Sequence, residues 1–263
     1  MERTDYGCII KNPSRFVFVA PHGKMGNDDY TDKITELISQ KYNANAVINS
    51  NYSRNQVDKN DISQSGDTQF QKDLVALVDD IVAGYGKANV IMIHGSADKW
   101  THSRHDKKRL FNNYPNEKGE WLKNGEKRPY DIDIGCGLTE DHRYFVDSKN
   151  PSDVELEGFL KLSSSDLWKR NQNSDTMTDC RRMPRREVYN LKRAFEEKGY
   201  RTTIGKEWAA QNKNKLVQKW SSNPDVGSMQ LEIIEQHRKN TEKISNDIVA
   251  ALKAVYDNIN EVK

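Results

Sequence analysis

Phe16-Val17-Phe18-Val19-Ala20-Pro21-His22-Gly23 reads as a short buried strand running into a turn that carries a histidine. Five consecutive apolar residues closed by a proline suit a strand covered on both faces. Outward from this stretch the pattern alternates. Thr31 to Tyr42 places Ile34, Leu37, Ile38 and Tyr42 on one helical face, and Ala46-Val47-Ile48 is a second short strand. Residues 68–85 set Phe70, Leu74, Leu77, Val78, Ile81 and Tyr85 at helical spacing, with Gly84 and Gly86 marking the exit. Val90-Ile91-Met92-Ile93 is a third strand, ending at His94-Gly95. Such β-α-β-α-β alternation predicts a parallel sheet with helices packed on its faces.

The last third returns to the same grammar. Val188, Leu191 and Phe195 define a helix over 185–198 stopped by Gly199, and Tyr200 to Ile204 and Val226 to Ile234 read as strands, the latter weakened by Gly227. Ile244, Ile248, Ala251, Leu252, Val255 and Ile259 share one face of a helix over 241–259, with Thr241 as its cap. Residues 96–183 are polar and poor in clear elements. Asp131-Ile-Asp-Ile-Gly135 alternates like a strand, and Val154 to Leu162 fits strand or helix. The expectation is one α/β domain over residues 1–263. Its central sheet is mixed and mostly parallel, with helices on both faces. A loop-rich insertion over about 96–183 lies across the sheet edge.

Composition bounds the rest. The 263 residues are 35% hydrophobic and 30% charged, with 41 basic residues against 39 acidic ones. A net charge of +2 does not by itself imply a nucleic-acid partner. No apolar run approaches the roughly 20 residues of a membrane helix, and the first residues lack an apolar signal core, so no membrane association is expected. Cys8, Cys136 and Cys180 are widely spaced and form no CxxC pair, which argues against a disulfide scaffold or a cysteine zinc cluster and favours a reduced, cytoplasmic setting. Walker loops and GxSxG elbows are absent from the sequence.

In an open parallel sheet, ligands bind beyond the carboxyl ends of the strands. His22 follows the first strand, Ser53-Arg54 the second, and His94 ends the third. One histidine at a strand end is more often structural than a ligand. Two on neighbouring strand ends can reach one ion, and a catalytic zinc commonly takes two imidazoles and one carboxylate. Asp28 or Asp29, six and seven residues after His22, can turn back to supply that carboxylate, or can simply favour a helix start. Glu232 stands in Met229-Gln-Leu-Glu-Ile-Ile, an otherwise apolar strand. It is either an outward residue on an edge strand or a buried general base acting on water. Gln230 shares its face. Arg54 offers a fork for a substrate carboxylate, with Asp58 and Asn60 orienting it or lining the pocket. The basic stretch His102 to Arg109 and the cluster Arg181, Arg182, Arg185 and Arg186 read as solvated charge, and no sequence pattern assigns Cys136 the base that a nucleophile needs.

In order along the chain, several segments resemble the N-formylglutamate amidohydrolase family. Pro21-His22-Gly23 is similar to its PHxG start, and Tyr52-Ser-Arg-Asn-Gln-Val-Asp-Lys-Asn60 to its SR-x-x-x-D-x-N segment. Ile93-His94-Gly95 resembles its strand-end histidine, Asp131 to Gly135 its D-I-x-x-G segment, and Gly199-Tyr200 with Gln230-Leu-Glu232 its late G-Y and Q-x-E elements. The resemblance implies a zinc-peptidase-like α/β fold related to carboxypeptidases. It also implies a metal-dependent hydrolase of amides, typically of N-acylated acidic amino acids. It implies His22, Asp28 and His94 as ligands of one zinc ion, Glu232 as base and Arg54 as carboxylate binder. Asp58, Asn60 and Gln230 are expected about the substrate from their places beside Arg54 and Glu232. A related branch, the phage poly-γ-glutamate hydrolases, makes cleavage of a γ-glutamyl or peptide-like polymer the second expectation. A relative that binds a ligand without catalysis is the third. Asn60 is followed by Asp61 where the family carries arginine, and Gln211-Asn-Lys-Asn-Lys replaces a glycine-rich stretch, which implies a different substrate charge pattern. The expected partner is a small or peptide-like amide; the oligomeric state is left open.

Overall fold

The structure is a computed structural model that describes residues 1–23, 28–99, 125–141, 144, 146, 150–162, 183–208, 210, 214–220 and 223–260. Its strands are β1 (Glu2–Arg3), β2 (Gly7–Ile10), β3 (Phe16–Ala20), β4 (Asn45–Asn49), β5 (Ala88–Ser96), β6 (Ile132–Gly135), β7 (Leu138–Glu140), β8 (Leu160–Leu162), β9 (Thr202–Ile204) and β10 (Val226–Ile234). Its helices are α1 (Thr31–Tyr42), α2 (Ile62–Ser65), α3 (Gln69–Tyr85), α4 (Asp153–Phe159), α5 (Arg185–Glu196), α6 (Glu235–Arg238) and α7 (Thr241–Asn260).

Eight strands form one sheet in the order β1-β2-β4-β3-β5-β10-β6-β9, and β7 pairs with β8 in a separate antiparallel ladder. β4, β3, β5 and β10 run parallel to one another. β2 joins β4 antiparallel, and β6 joins β10 antiparallel while running parallel to β9. The result is the mixed, mostly parallel α/β sheet that the alternation predicts. Every residue of β3, β4, β5 and β10 is buried, the mark of a sheet covered on both sides.

The two faces carry separate cores. On one, Ile34 and Ile38 of α1, Val188 and Leu191 of α5, and Ile248 and Leu252 of α7 pack on Phe18, Ile91 and Leu231. On the other, Phe70, Leu74 and Val78 of α3 cover Val19, Val90 and Met92, joined by Leu216 and Trp220. Each side chain so buried contributes about 1.5–3 kcal/mol relative to exposure. Helix ends follow local chemistry: α3 stops at Gly86, left-handed at φ 71°, whose N–H bonds the carbonyl of Val82. α4 opens with a capping box between Ser152 and Glu155.

Four expectations change. The cap of α7 is Asn240 rather than Thr241, since the Asn240 Oδ1 accepts from the Lys243 N–H at 3.1 Å. β5 runs on to Ser96, so His94 lies inside a strand rather than at its end. Residues 154–162 divide into helix and strand instead of forming one element. The stretch expected to lie across the sheet edge contains β6, which sits inside the main sheet between β10 and β9. A four-residue strand containing an aspartate has too little apolar periodicity to announce an interior position. β2, the brief run Gly7-Cys-Ile-Ile, has no counterpart among the predicted elements.

Candidate metal centre

The site lies where β3, β4, β5 and β10 end. His22 leaves β3 in a turn pinned to β4: the Gly23 N–H donates to the Asn49 carbonyl at 2.9 Å, and the Asn49 amide donates to the carbonyls of Pro21 at 2.8 Å and Tyr52 at 2.9 Å. A side chain at position 23 has no room, because a Cβ there would sit 2.4 Å from the Asp32 Cβ and 2.6 Å from the Asn49 carbonyl oxygen. Asn49 thus ties the His22 turn to the loop bearing Ser53 and Arg54.

Asp28 turns back over the sheet just before α1. Its Oδ1 accepts from the Gly95 N–H at 2.7 Å and lies 3.3 Å from His94 Nδ1, while its Oδ2 lies 3.5 Å from His22 Nδ1. The Thr31 hydroxyl donates to the Asp28 carbonyl at 2.8 Å, locking the approach to the helix. Asp29 is exposed, so of the two carboxylates it is Asp28 that meets the histidines. His22, Asp28 and His94 are all buried, and each offers a ligand atom within 4.8 Å of the others.

His22 Nε2 lies 2.6 Å from Asp58 Oδ1. With its Nε2–H given to that carboxylate, the Nδ1 lone pair faces the Asp28 carboxylate, and Nδ1 has no hydrogen-bond partner among the described residues. A proton on Nδ1 or a metal ion between the two would satisfy both groups. A carboxylate fixing the far nitrogen of a metal-binding imidazole is the usual outer support of such a ligand. The donor set of two imidazoles and one carboxylate therefore fits one divalent ion. Burial lowers the affinity of both imidazoles for protons. For His22 the carboxylates of Asp28 and Asp58 outweigh it and raise the pKa, whereas His94 stays lowered. Burial opposes ionisation of Asp28 and Asp58, yet bonds from the histidines hold both well below the usual carboxylate range.

Glu232 pairs in register with His94 of β5 on one side and Asp133 of β6 on the other. It lies in the sheet interior, 6% exposed, not on an edge. Burial pushes its carboxyl well up, and the negative charges of Asp28, Glu207 and Asp133 add to the effect.

Arg54 stands half exposed at the rim, with Nε 3.4 Å from Asp58 Oδ2. Asp58 is occupied by His22, Arg54 and, at 3.5 Å, Lys215. Its carboxylate thus meets Arg54 on one side and His22 on the other. Asn60 is likewise engaged, accepting from the Leu216 N–H through both its carbonyl, at 2.9 Å, and its side chain, at 3.3 Å. Gln230 directs its amide to Glu232 at 3.2 Å.

A second cluster escapes sequence reasoning. The buried Arg128 guanidinium donates to the Ala97 carbonyl at 2.7 Å and to Glu207, and the Tyr130 hydroxyl donates to Glu207 at 2.5 Å. Asp133 beside it is fully buried. The one signal in the sequence is Asp133, a carboxylate within a strand-like alternation; Arg128 and Glu207 are too far apart along the chain to reveal each other. Of the basic stretches, His102 to Arg109 and Arg181-Arg182 lie outside the described residues, as does Cys180. Arg186 pairs with Asp153 at 2.7 Å, and Cys136 is buried.

The fold and site define an α/β chain with a metal-capable group at the carboxyl ends of parallel strands. Compared with solved structures, it is similar to N-formylglutamate amidohydrolase from Ralstonia eutropha JMP134, with a TM-score of 0.57 and 9% identity, covering 97% of this chain and 98% of that one. A protein from Shewanella denitrificans OS-217, described provisionally as a carboxypeptidase A, aligns with a TM-score of 0.44 and 10% identity over 98% of this chain and 63% of that one. No protein-family model and no curated protein matches the sequence.

Proposed function

We propose that this chain is a zinc-dependent hydrolase of amide bonds, a divergent relative of the N-formylglutamate amidohydrolases that acts on an N-acylated, acidic amino acid or a related small amide. The observation that carries the reading is the buried His22–Asp28–His94 group with Glu232 in register beside His94. The fold likeness to an amidohydrolase supports it.

His22 through Nδ1, Asp28 and His94 would hold the ion. When bound, a zinc ion supplies Lewis acidity and lowers the pKa of a coordinated water toward ~7. Everything else falls to the chain. Asp58 keeps the His22 ring turned so that Nδ1 faces inward. The Gly95 N–H holds the Asp28 carboxylate in place. Glu232 takes the proton from the attacking water and returns it to the leaving nitrogen. Arg54, exposed at the rim beside Asp58, meets a substrate carboxylate. Among the described residues no helix is long and apolar enough to cross a membrane. The wide spacing of the three cysteines in the sequence, with no CxxC pair, supports a cytoplasmic enzyme.

The test is elemental analysis of the purified protein with His22→Ala and His94→Ala beside it. A panel of formyl and acetyl amides of glutamate, aspartate and glutamine, together with poly-γ-glutamate, follows. One zinc per chain, lost in both variants while the fold survives, with Glu232→Gln inactive on whichever amide is cleaved, is the expected result. A parent that retains no zinc after loading and washing sinks the reading and leaves a ligand-binding relative in its place.

A further inference from the structure

Glu232 shares its face of the sheet with three groups that none of the roles above uses. Asp133 is its direct partner across the β10–β6 ladder, and Gly135 is the partner of Gln230. After β9 the chain crosses this face as a short strap, Gly205–Trp208. The Asp133 carboxylate holds the strap by accepting three consecutive backbone N–H groups, from Lys206 at 2.9 Å, Glu207 at 2.8 Å and Trp208 at 2.9 Å. The Thr203 hydroxyl donates to the same carboxylate at 2.8 Å. A buried carboxylate accepting four such bonds is held rigid.

The strap lies so close that position 135 must be glycine. A Cβ there would sit 2.2 Å from the Trp208 carbonyl oxygen and 2.8 Å from the Gln230 Cγ. Between strap and strand the buried Gln230 amide is flanked by two acceptors. Its Nε2 is 3.2 Å from Glu232 Oε1 and 3.5 Å from the Trp208 carbonyl oxygen. Two acceptors determine which end of the amide is the NH2, so Gln230 donates to Glu232 and cannot reverse without facing oxygen with oxygen.

We propose that Gln230 is a positioning residue that clamps the Glu232 carboxylate, and that the strap seated on Asp133 and Gly135 keeps that clamp pointed at it. This differs from the sequence-based expectation that Gln230 touches substrate, and it rests on Glu232 being the base. A donor on one carboxylate oxygen leaves the other to face the water, so the clamp selects one orientation of an otherwise rotatable group.

The experiment uses the zinc-loaded protein and the most rapidly cleaved amide of the panel. Gln230→Leu is expected to lower kcat by about 10- to 100-fold, the worth of one hydrogen bond to a charged group. KM stays within about twofold and the zinc content is unchanged, because the leucine leaves the partners of substrate and ion in place. Gly135→Ala lowers kcat in the same direction without altering either partner. Gln230→Met stands in where the leucine variant does not fold. A rise in KM with kcat unchanged would return Gln230 to substrate binding, and unchanged kinetics would remove it from the site; either overturns the proposal. If the parent cleaves no member of the panel, the hydrolase reading fails, and the clamp is judged on crystal structures of the parent and Gln230→Leu. A Glu232 carboxylate displaced by about 1 Å upholds it, and an unmoved one refutes it.

Discussion

Asp58→Asn removes a charge from the far side of His22 while keeping the side chain's size, and the geometry around Asp58 sets the size of the effect. The substitution weakens a buried, charge-assisted hydrogen bond, 2.6 Å from His22 Nε2 to Asp58 Oδ1. The same Oδ1 also accepts from the Asn60 N–H at 3.0 Å. An asparagine retaining those two bonds through its own oxygen must turn its NH2 toward Oδ2's neighbours, Arg54 at 3.4 Å and Lys215 at 3.5 Å, which are themselves donors. The amide therefore meets two cations where the carboxylate met two partners. A hydrogen bond to a charged group is worth about 1.5–3 kcal/mol, and outer supports of metal-binding histidines typically change metal affinity by about 10- to 100-fold. The expected outcome is a zinc dissociation constant weaker by that factor, at one ion per chain and with an unaltered far-ultraviolet circular dichroism spectrum. Competition against a chromophoric chelator measures it. An affinity within twofold of the parent would refute the reasoning, because His22 would then hold its orientation without Asp58.

Asp28→Asn is expected to abolish stoichiometric zinc binding, while Asp29→Asn leaves it unchanged, since only Asp28 meets His22 and His94; equilibrium dialysis distinguishes the two. Gly23→Ala forces a methyl onto the Asp32 Cβ and the Asn49 carbonyl, so urea unfolding should show a loss of about 1–3 kcal/mol, with weaker zinc retention as the His22 turn shifts. Glu140, buried on β7 with Lys192 3.6 Å away, has its carboxyl pushed up from 4.5 to about 7, chiefly by burial. Its folded pKa lies above the unfolded one, so its contribution is fully present below about pH 4.5 and is lost as pH rises through about 7. Glu140→Gln should accordingly be more stable than the parent at pH 8, by roughly 1–3 kcal/mol, and not at pH 5; equal differences at both pH values would contradict the sign.

Much of this molecule is legible one segment at a time. Short continuous apolar runs and period-3.6 apolar patterns lie in contiguous residues, so β3, β4, α1, α3 and α7 can be read directly. Because loops at the carboxyl ends of parallel strands converge, the sequence alone brings His22 and His94 to one place. Those decisions depend only on what each stretch must bury. The rest depends on which segments meet. β10 is inserted between β5 and β6, and that strand order alone puts Glu232 beside His94 and excludes an edge position. The choice of Asp28 over Asp29 is made by the Gly95 N–H, 67 residues away in sequence. Asp58 meets His22 across 36 residues besides its neighbour Arg54, and Arg128 finds Glu207 across 79. Local periodicity cannot encode such partners. A buried carboxylate costs several kcal/mol unless it is paired, and only the closed sheet settles which partner each one has.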